Sequence, residues 1–112
     1  MALLRFDPKK NNYFLEAGWP RKGSIKKNGL ALRLVQKGPE GIVLVRDVVH
    51  LDYDKDRLGQ GVQIRIPELG DLMFSYKKVL GLLPLVVLIL NGEKLKGSEV
   101  LNSALGEIAY IG

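Results

Sequence analysis

The chain has 112 residues, 46% of them hydrophobic and 26% charged, which is the size and balance of one folded domain and leaves almost no room for two. It has no cysteine and one histidine, His50, so disulfides, thiolate or multi-histidine metal sites and cysteine nucleophiles are excluded, and a serine triad would have to run through that single imidazole. The net charge of +5 is unevenly spread: residues 1–38 carry nine basic against two acidic side chains for a net +7, and the remainder eight against ten for −2.

The opening Met1-Ala2-Leu3-Leu4 is broken by Arg5 and Asp7 before an apolar leader builds, so a cytoplasmic setting is expected. Short strands are predicted at 3–6 and 13–17, joined by the turn formers of 7–12. Leu30, Leu32 and Leu34 alternate with Ala31, Arg33 and Val35, which predicts a strand over 30–36 with one face inward. The five residues 37–41 then turn the chain into a strand running from Ile42 to Leu51, apolar enough for the centre of a sheet. Its polar positions Arg46, Asp47 and His50 break parity and point to a bulge near Asp47.

Val62, Ile64 and Ile66 alternate with Gln63 and Arg65 up to Pro67, and the turn at 68–71 leads into a return strand with Leu72, Phe74 and Tyr76 on one face. Residues 79–90 form the longest apolar run, too short to span a membrane and interrupted by Pro84. Within it, 85–90 reads as a strand that stops at the turn dipeptide Asn91-Gly92. Ser98 as a cap, Glu99 in a first turn, and Val100, Leu101, Ala104, Leu105 and Ile108 at helical spacing predict one short helix near the carboxyl end, with Gly106 a candidate stop before a last strand. The expected fold is therefore a single mainly β domain over 1–112, a small antiparallel barrel or sandwich with that one helix.

The richest chemistry lies near the amino terminus, where Lys9, Lys10, Arg21, Lys22, Lys26 and Lys27 interleave with Tyr13, Phe14 and Trp19. Cations neutralise phosphates and rings stack on bases, so Lys9, Lys10, Tyr13, Trp19, Arg21, Lys22, Lys26 and Lys27 are the candidate surface for single-stranded nucleic acid in a non-enzymatic binding module. The rings serve equally as anchors of the amino-terminal strands to the core. The second functional class is an assembly or adaptor domain, a homodimer or larger homo-oligomer that buries the apolar strand at 79–90; the same run fits a strand covered on both sides within one chain.

Asp52, Asp54 and Asp56 have the D-x-D-x-D spacing of a cation loop, but Arg57 stands where that loop needs glycine and Gln63 where it needs a bidentate glutamate. They read as a solvated strand end, with no metal. His50 and Asp52 share a face of an extended strand, yet two ligands make no site and catalysis is not expected. Gly59-Gln60-Gly61 and Asn28-Gly29 lack the spacing and lysine of a phosphate loop, and no cofactor is implied.

Overall fold

A computed structural model of the chain describes residues 3–18, 29–52, 55–77 and 85–100. Among the described residues nine strands in chain order make two antiparallel sheets. The first four are β1 (Leu3–Phe6), β2 (Tyr13–Gly18), β3 (Gly29–Gly38) and β4 (Gly41–Asp52). After a single 3-10 turn at Leu58–Gln60 come β5 (Val62–Ile66), β6 (Gly70–Lys77), β7 (Leu85–Leu90), β8 (Glu93–Lys94) and β9 (Gly97–Val100). One sheet has the order β4-β3-β2-β1-β9 and the other β5-β6-β7-β8.

Both sheets supply one core, to which the strands send alternate side chains, while Glu16, Arg33 and Val35 are buried between those positions on β2 and β3. Phe6, Leu15, Ala17, Leu30, Leu32, Leu34 and Leu51 come from the five-stranded sheet. Ile66, Leu72, Phe74, Tyr76, Val86, Leu88 and Leu90 come from the four-stranded one, and Leu58 and Leu69 fill in from the connections. The alternations at 30–35, 62–66 and 72–76 thus place their leucines, isoleucines and aromatic rings where the pattern required.

Turn chemistry fixes the register. In the β1–β2 turn the Asp7 carboxylate accepts a hydrogen bond from the Lys9 N–H (2.8 Å), and the Tyr13 N–H donates to the Lys10 carbonyl (3.0 Å). Asn91 and Gly92 both take positive φ, 49° and 86°, and join β7 to β8 with Leu90 opposite Glu93, the geometry favoured by that dipeptide. The connection between β3 and β4 is tighter than the sequence suggests: Gly38 pairs directly with Gly41, so only Pro39 and Glu40 form the turn. The expected bulge near Asp47 is present and is doubled. Leu32 faces Val49 while Arg33 faces Asp47, and Leu34 faces Arg46 while Val35 faces Leu44, leaving Val48 and Val45 as the extra residues.

The carboxyl-terminal helix does not begin where predicted. Gly97–Val100 is strand β9, antiparallel to β1 with Phe6 opposite Gly97, Arg5 opposite Ser98 and Leu3 opposite Val100. A Cβ at Gly97 would come within 2.5 Å of the Phe6 ring, so the ring lies across a residue with no side chain and the backbone pairs closely there. Residues 101–112, the rest of the predicted helix, lie outside the described residues. Among the described residues no helix is long and apolar enough to cross a membrane.

The two sheets are also joined by charge. The second bulge of β4 turns Arg46 to the same side as Leu34, and its guanidinium binds the Glu68 carboxylate in the β5–β6 turn. That hydrogen bond holds the Glu68 carboxyl below the usual carboxylate range. A depressed folded pKa gives stability that is fully present above the unfolded pKa of about 4.3 and is lost as pH falls through the folded value. Glu68→Gln is expected to flatten the acid limb, so that in urea unfolding the variant loses less stability than the wild type between neutral pH and pH below about 4. Parallel acid limbs for the two proteins would contradict this role of the pair.

Candidate functional site

The outermost strand of the five-stranded sheet, β4, has the properties of a binding edge. It is twelve residues long, about 40 Å at about 3.3 Å per residue, and among the described residues its ladder partner is β3 alone. Its first five residues, Gly41 to Val45, carry no charge. Val43, Leu44 and Val45 are 54%, 46% and 38% exposed, and they are the large hydrophobic residues left exposed among those described. Three consecutive exposed apolar residues point to both faces of the strand, so neither face of β4 is covered here. The other edges are short or charged, with β8 consisting of Glu93–Lys94 and β9 carrying Ser98 and Glu99. Proteins guard edge strands by such means and by bulges; the segment Gly41–Val45 ends in the bulge at Val45 but carries no charge.

The opposite face of this sheet carries a row of alternating charge. Register places Arg5, Glu16, Arg33 and Asp47 side by side on β1, β2, β3 and β4. Arg5 Nε and Nη2 donate to Glu16 Oε2 at 2.8 and 2.6 Å, and Arg33 Nε donates to Glu16 Oε1 at 2.7 Å. Glu16 is wholly buried and Arg33 nearly so. The carboxylate and its two guanidinium partners therefore hold three neighbouring strands in register, a structural use of charge in the amino-terminal half.

The residues singled out by sequence fall in different places. Lys9 and Lys10 are exposed in the β1–β2 turn. The Lys37 N–H donates to the Asn12 carbonyl (2.9 Å) and Gln36 Nε2 to the Asn11 carbonyl (3.0 Å), which fastens that turn to the end of β3. Lys9, Lys10, Lys37 and Lys96 consequently gather at the end of the sheet where β1 and β3 finish and β2 and β9 start, alongside Asp7 and Glu40. Tyr13 is half-buried and packs against the core. Trp19, Arg21, Lys22, Lys26 and Lys27 lie outside the described residues; Gly18 and Gly29, which bracket them in sequence, are at the far end of β2 and β3 from Tyr13 and Gln36.

In the aspartate run, Asp52 Oδ1 accepts from the Lys55 N–H (2.9 Å) and Asp56 Oδ2 from the Asp52 N–H (2.7 Å). These carboxylates close a turn, and Asp54 lies outside the described residues. His50 and Asp52 share one face of β4, opposite Ala31 and Gly29. Among the described residues no three His, Cys, Asp or Glu side chains converge as a metal site would require. In the apolar run, Val86, Leu88 and Leu90 are buried in the core, Val87 and Ile89 are half-buried on the outer face, and residues 79–84 lie outside the described residues. That outer face forms an open concavity of about 660 Å³ floored by Met73 and Ile89 and rimmed by Gln63, Asn91 and the exposed Arg65–Asp71 ion pair.

No family model, curated protein sequence or solved structure matches this chain. The β4 edge is the feature that sequence reasoning missed. A run such as Ile42-Val43-Leu44-Val45 reads the same whether both faces are covered or both are open, and only strand order distinguishes the two.

Proposed function

We propose that this chain is a non-enzymatic protein-interaction module that takes up an extended strand along the outer edge of β4. The observation that carries this reading is the exposure of Val43, Leu44 and Val45 on an edge strand with one ladder partner. Strand addition supplies main-chain hydrogen bonds for affinity and side-chain contacts on alternate faces for selectivity. One core fed by both sheets, together with the Arg46–Glu68 pair between them, supports an open sandwich as the rigid scaffold that presents the edge. This moves the assembly surface from 79–90, where half of β7 is packed in the core, to 41–45.

Fluorescence anisotropy with a labelled peptide copying residues 40–46 tests the edge. The wild type is expected to bind it, and Leu44→Lys, at an exposed position where substitution leaves the circular dichroism unchanged, to weaken binding at least about tenfold. Equal binding by the two proteins, or none by either at dilutions where the protein sediments as one chain, would sink the reading. A second reading, a surface for single-stranded nucleic acid, is favoured by the gathering of Lys9, Lys10, Lys37 and Lys96 at one end of the sheet. It is scored in the same titration with a labelled oligothymidylate at about 50 and about 200 mM salt. Four neutralised phosphates give a log–log slope of about −0.7 × 4, near −3, which Lys9→Glu with Lys10→Glu flattens and Lys94→Glu does not.

A further inference from the structure

Granted the role proposed for the β4 edge, we infer that the strand it takes up is β4 of a second copy of this chain, paired antiparallel about a two-fold axis that passes beside Val43. The direction of the backbone groups selects that axis. Gly38 and Gly41 close a two-residue turn, so the Gly41 N–H points inward to β3. Alternation along an antiparallel ladder then turns Val43 inward to Gln36 and aims the N–H and C=O of Ile42 and Leu44 outward. The first bulge, at Val45, ends this regular stretch.

A two-fold axis normal to a sheet sets one residue opposite itself. With Val43 on the axis, Ile42 of each chain lies opposite Leu44 of the other, and all the outward groups of the regular stretch are used in four inter-chain hydrogen bonds. Val43 meets Val43 of the second copy at a non-hydrogen-bonded pair, where side chains approach most closely. Placing the axis at Leu44 uses only the outward groups of Leu44 in a self-pair and sets Ile42 against Arg46.

Charge agrees with the axis at Val43. Ile42, Val43 and Leu44 bring no charge to the centre, and the turn residue Glu40 of each chain comes to the same end of the seam as Arg46 of the second copy, which follows the Val45 bulge. Arg46 remains 37% exposed while bound to Glu68, and its guanidinium has donors for a second carboxylate. Association would shield the flanks of Val43 and Leu44 along the seam and continue the five-stranded sheet into one of ten strands.

The chain lacks cysteine, so one introduced thiol is a clean reporter. Sedimentation of the full chain is expected to give a mass near twice that of one chain, falling towards one on dilution. Under mild oxidation Val43→Cys is expected to form a covalent dimer at least about tenfold faster than Lys94→Cys, because Cβ atoms of a non-hydrogen-bonded pair lie near disulfide distance. Leu44→Pro, which deletes an outward N–H and leaves the β3 ladder its donors, is expected to sediment as one chain. A concentration-independent single-chain mass, or cross-linking at Val43 no faster than at Lys94, overturns the second copy even if Leu44→Pro fails to fold. Peptide binding by a protein that sediments as one chain overturns this inference and leaves the edge itself as a docking element; loss of both overturns the edge reading too.

Discussion

Replacing Glu16 with alanine is expected to lower stability by about 3–5 kcal/mol, a large part of the roughly 5–15 kcal/mol that holds a domain of this size. Glu16 is wholly buried and engages both Arg5 and Arg33, and Arg33 is only 5% exposed. Without the carboxylate two guanidinium groups face each other across β2. Arg5, whose side chain is 20% exposed, can extend its head to water, but Arg33 has to keep its charge in a low-dielectric site. The double variant Glu16→Met with Arg33→Met separates the desolvation cost from simple loss of volume. It removes the Arg33 charge together with the Glu16 carboxylate and is expected to recover part of the loss. Urea unfolding of the three proteins checks this, and a loss below about 1 kcal/mol for Glu16→Ala would show that the row of charges adds nothing to the fold.

Gly70→Ala is expected to cost about 2–5 kcal/mol by a different route. Gly70 sits at φ 123°, where a side chain is strained by about 1–3 kcal/mol. Its missing Cβ is also the space taken by Asn91: a methyl group there would meet the Asn91 side chain, with Nδ2 at 2.6 Å and Cγ at 2.8 Å. Asn91 cannot withdraw without loss, because its Oδ1 accepts from the Asp71 N–H and its Nδ2 donates to the Leu69 carbonyl, both at 2.9 Å. Each such bond contributes about 1 kcal/mol. The two positions should therefore be non-additive: in an Asn91→Ala background the added cost of Gly70→Ala falls to the backbone strain alone. Full additivity in thermal or urea unfolding would mean the asparagine moves aside freely.

The strands were legible where one face is buried and the other wet. Val62 to Ile66 and Leu72 to Tyr76 announce themselves by parity, and Asn91-Gly92 by the positive φ that its residue types tolerate. Strand order and the β9 pairing were not legible. Ser98, Glu99 and Val100 fit a helix start as well as a strand, and what decides for the strand is remote, the open edge of β1 and the Phe6 ring that needs a glycine opposite it. The same limit hid the candidate site. One bulge near Asp47 was foreshadowed by the broken parity of Arg46, Asp47 and His50, but the second was not, and the exposure of Val43 to Val45 follows from β4 being outermost, which no local pattern encodes. Of the basic residues in the amino-terminal half, Arg5 and Arg33 bind Glu16, a pairing that net charge does not reveal.

The pairing of β1 with β9 also governs the order in which the molecule can assemble. Strands β1 to β4 are joined by turns or a single connection within residues 3–52, and β5 to β8 lie within 62–94, so each block can zip up from nearby partners. Hairpins of that kind close in about 1–10 μs. β9 belongs to the second block in sequence and to the first in space, and it must span more than ninety residues of chain to reach β1. That search carries a loop-closure penalty rising with the logarithm of the intervening length and is rewarded only by one four-residue ladder. During synthesis, therefore, the four-stranded amino-terminal meander emerges with both of its margins, β1 and β4, open to other chains, and β1 is sealed only after residue 100 has left the ribosome.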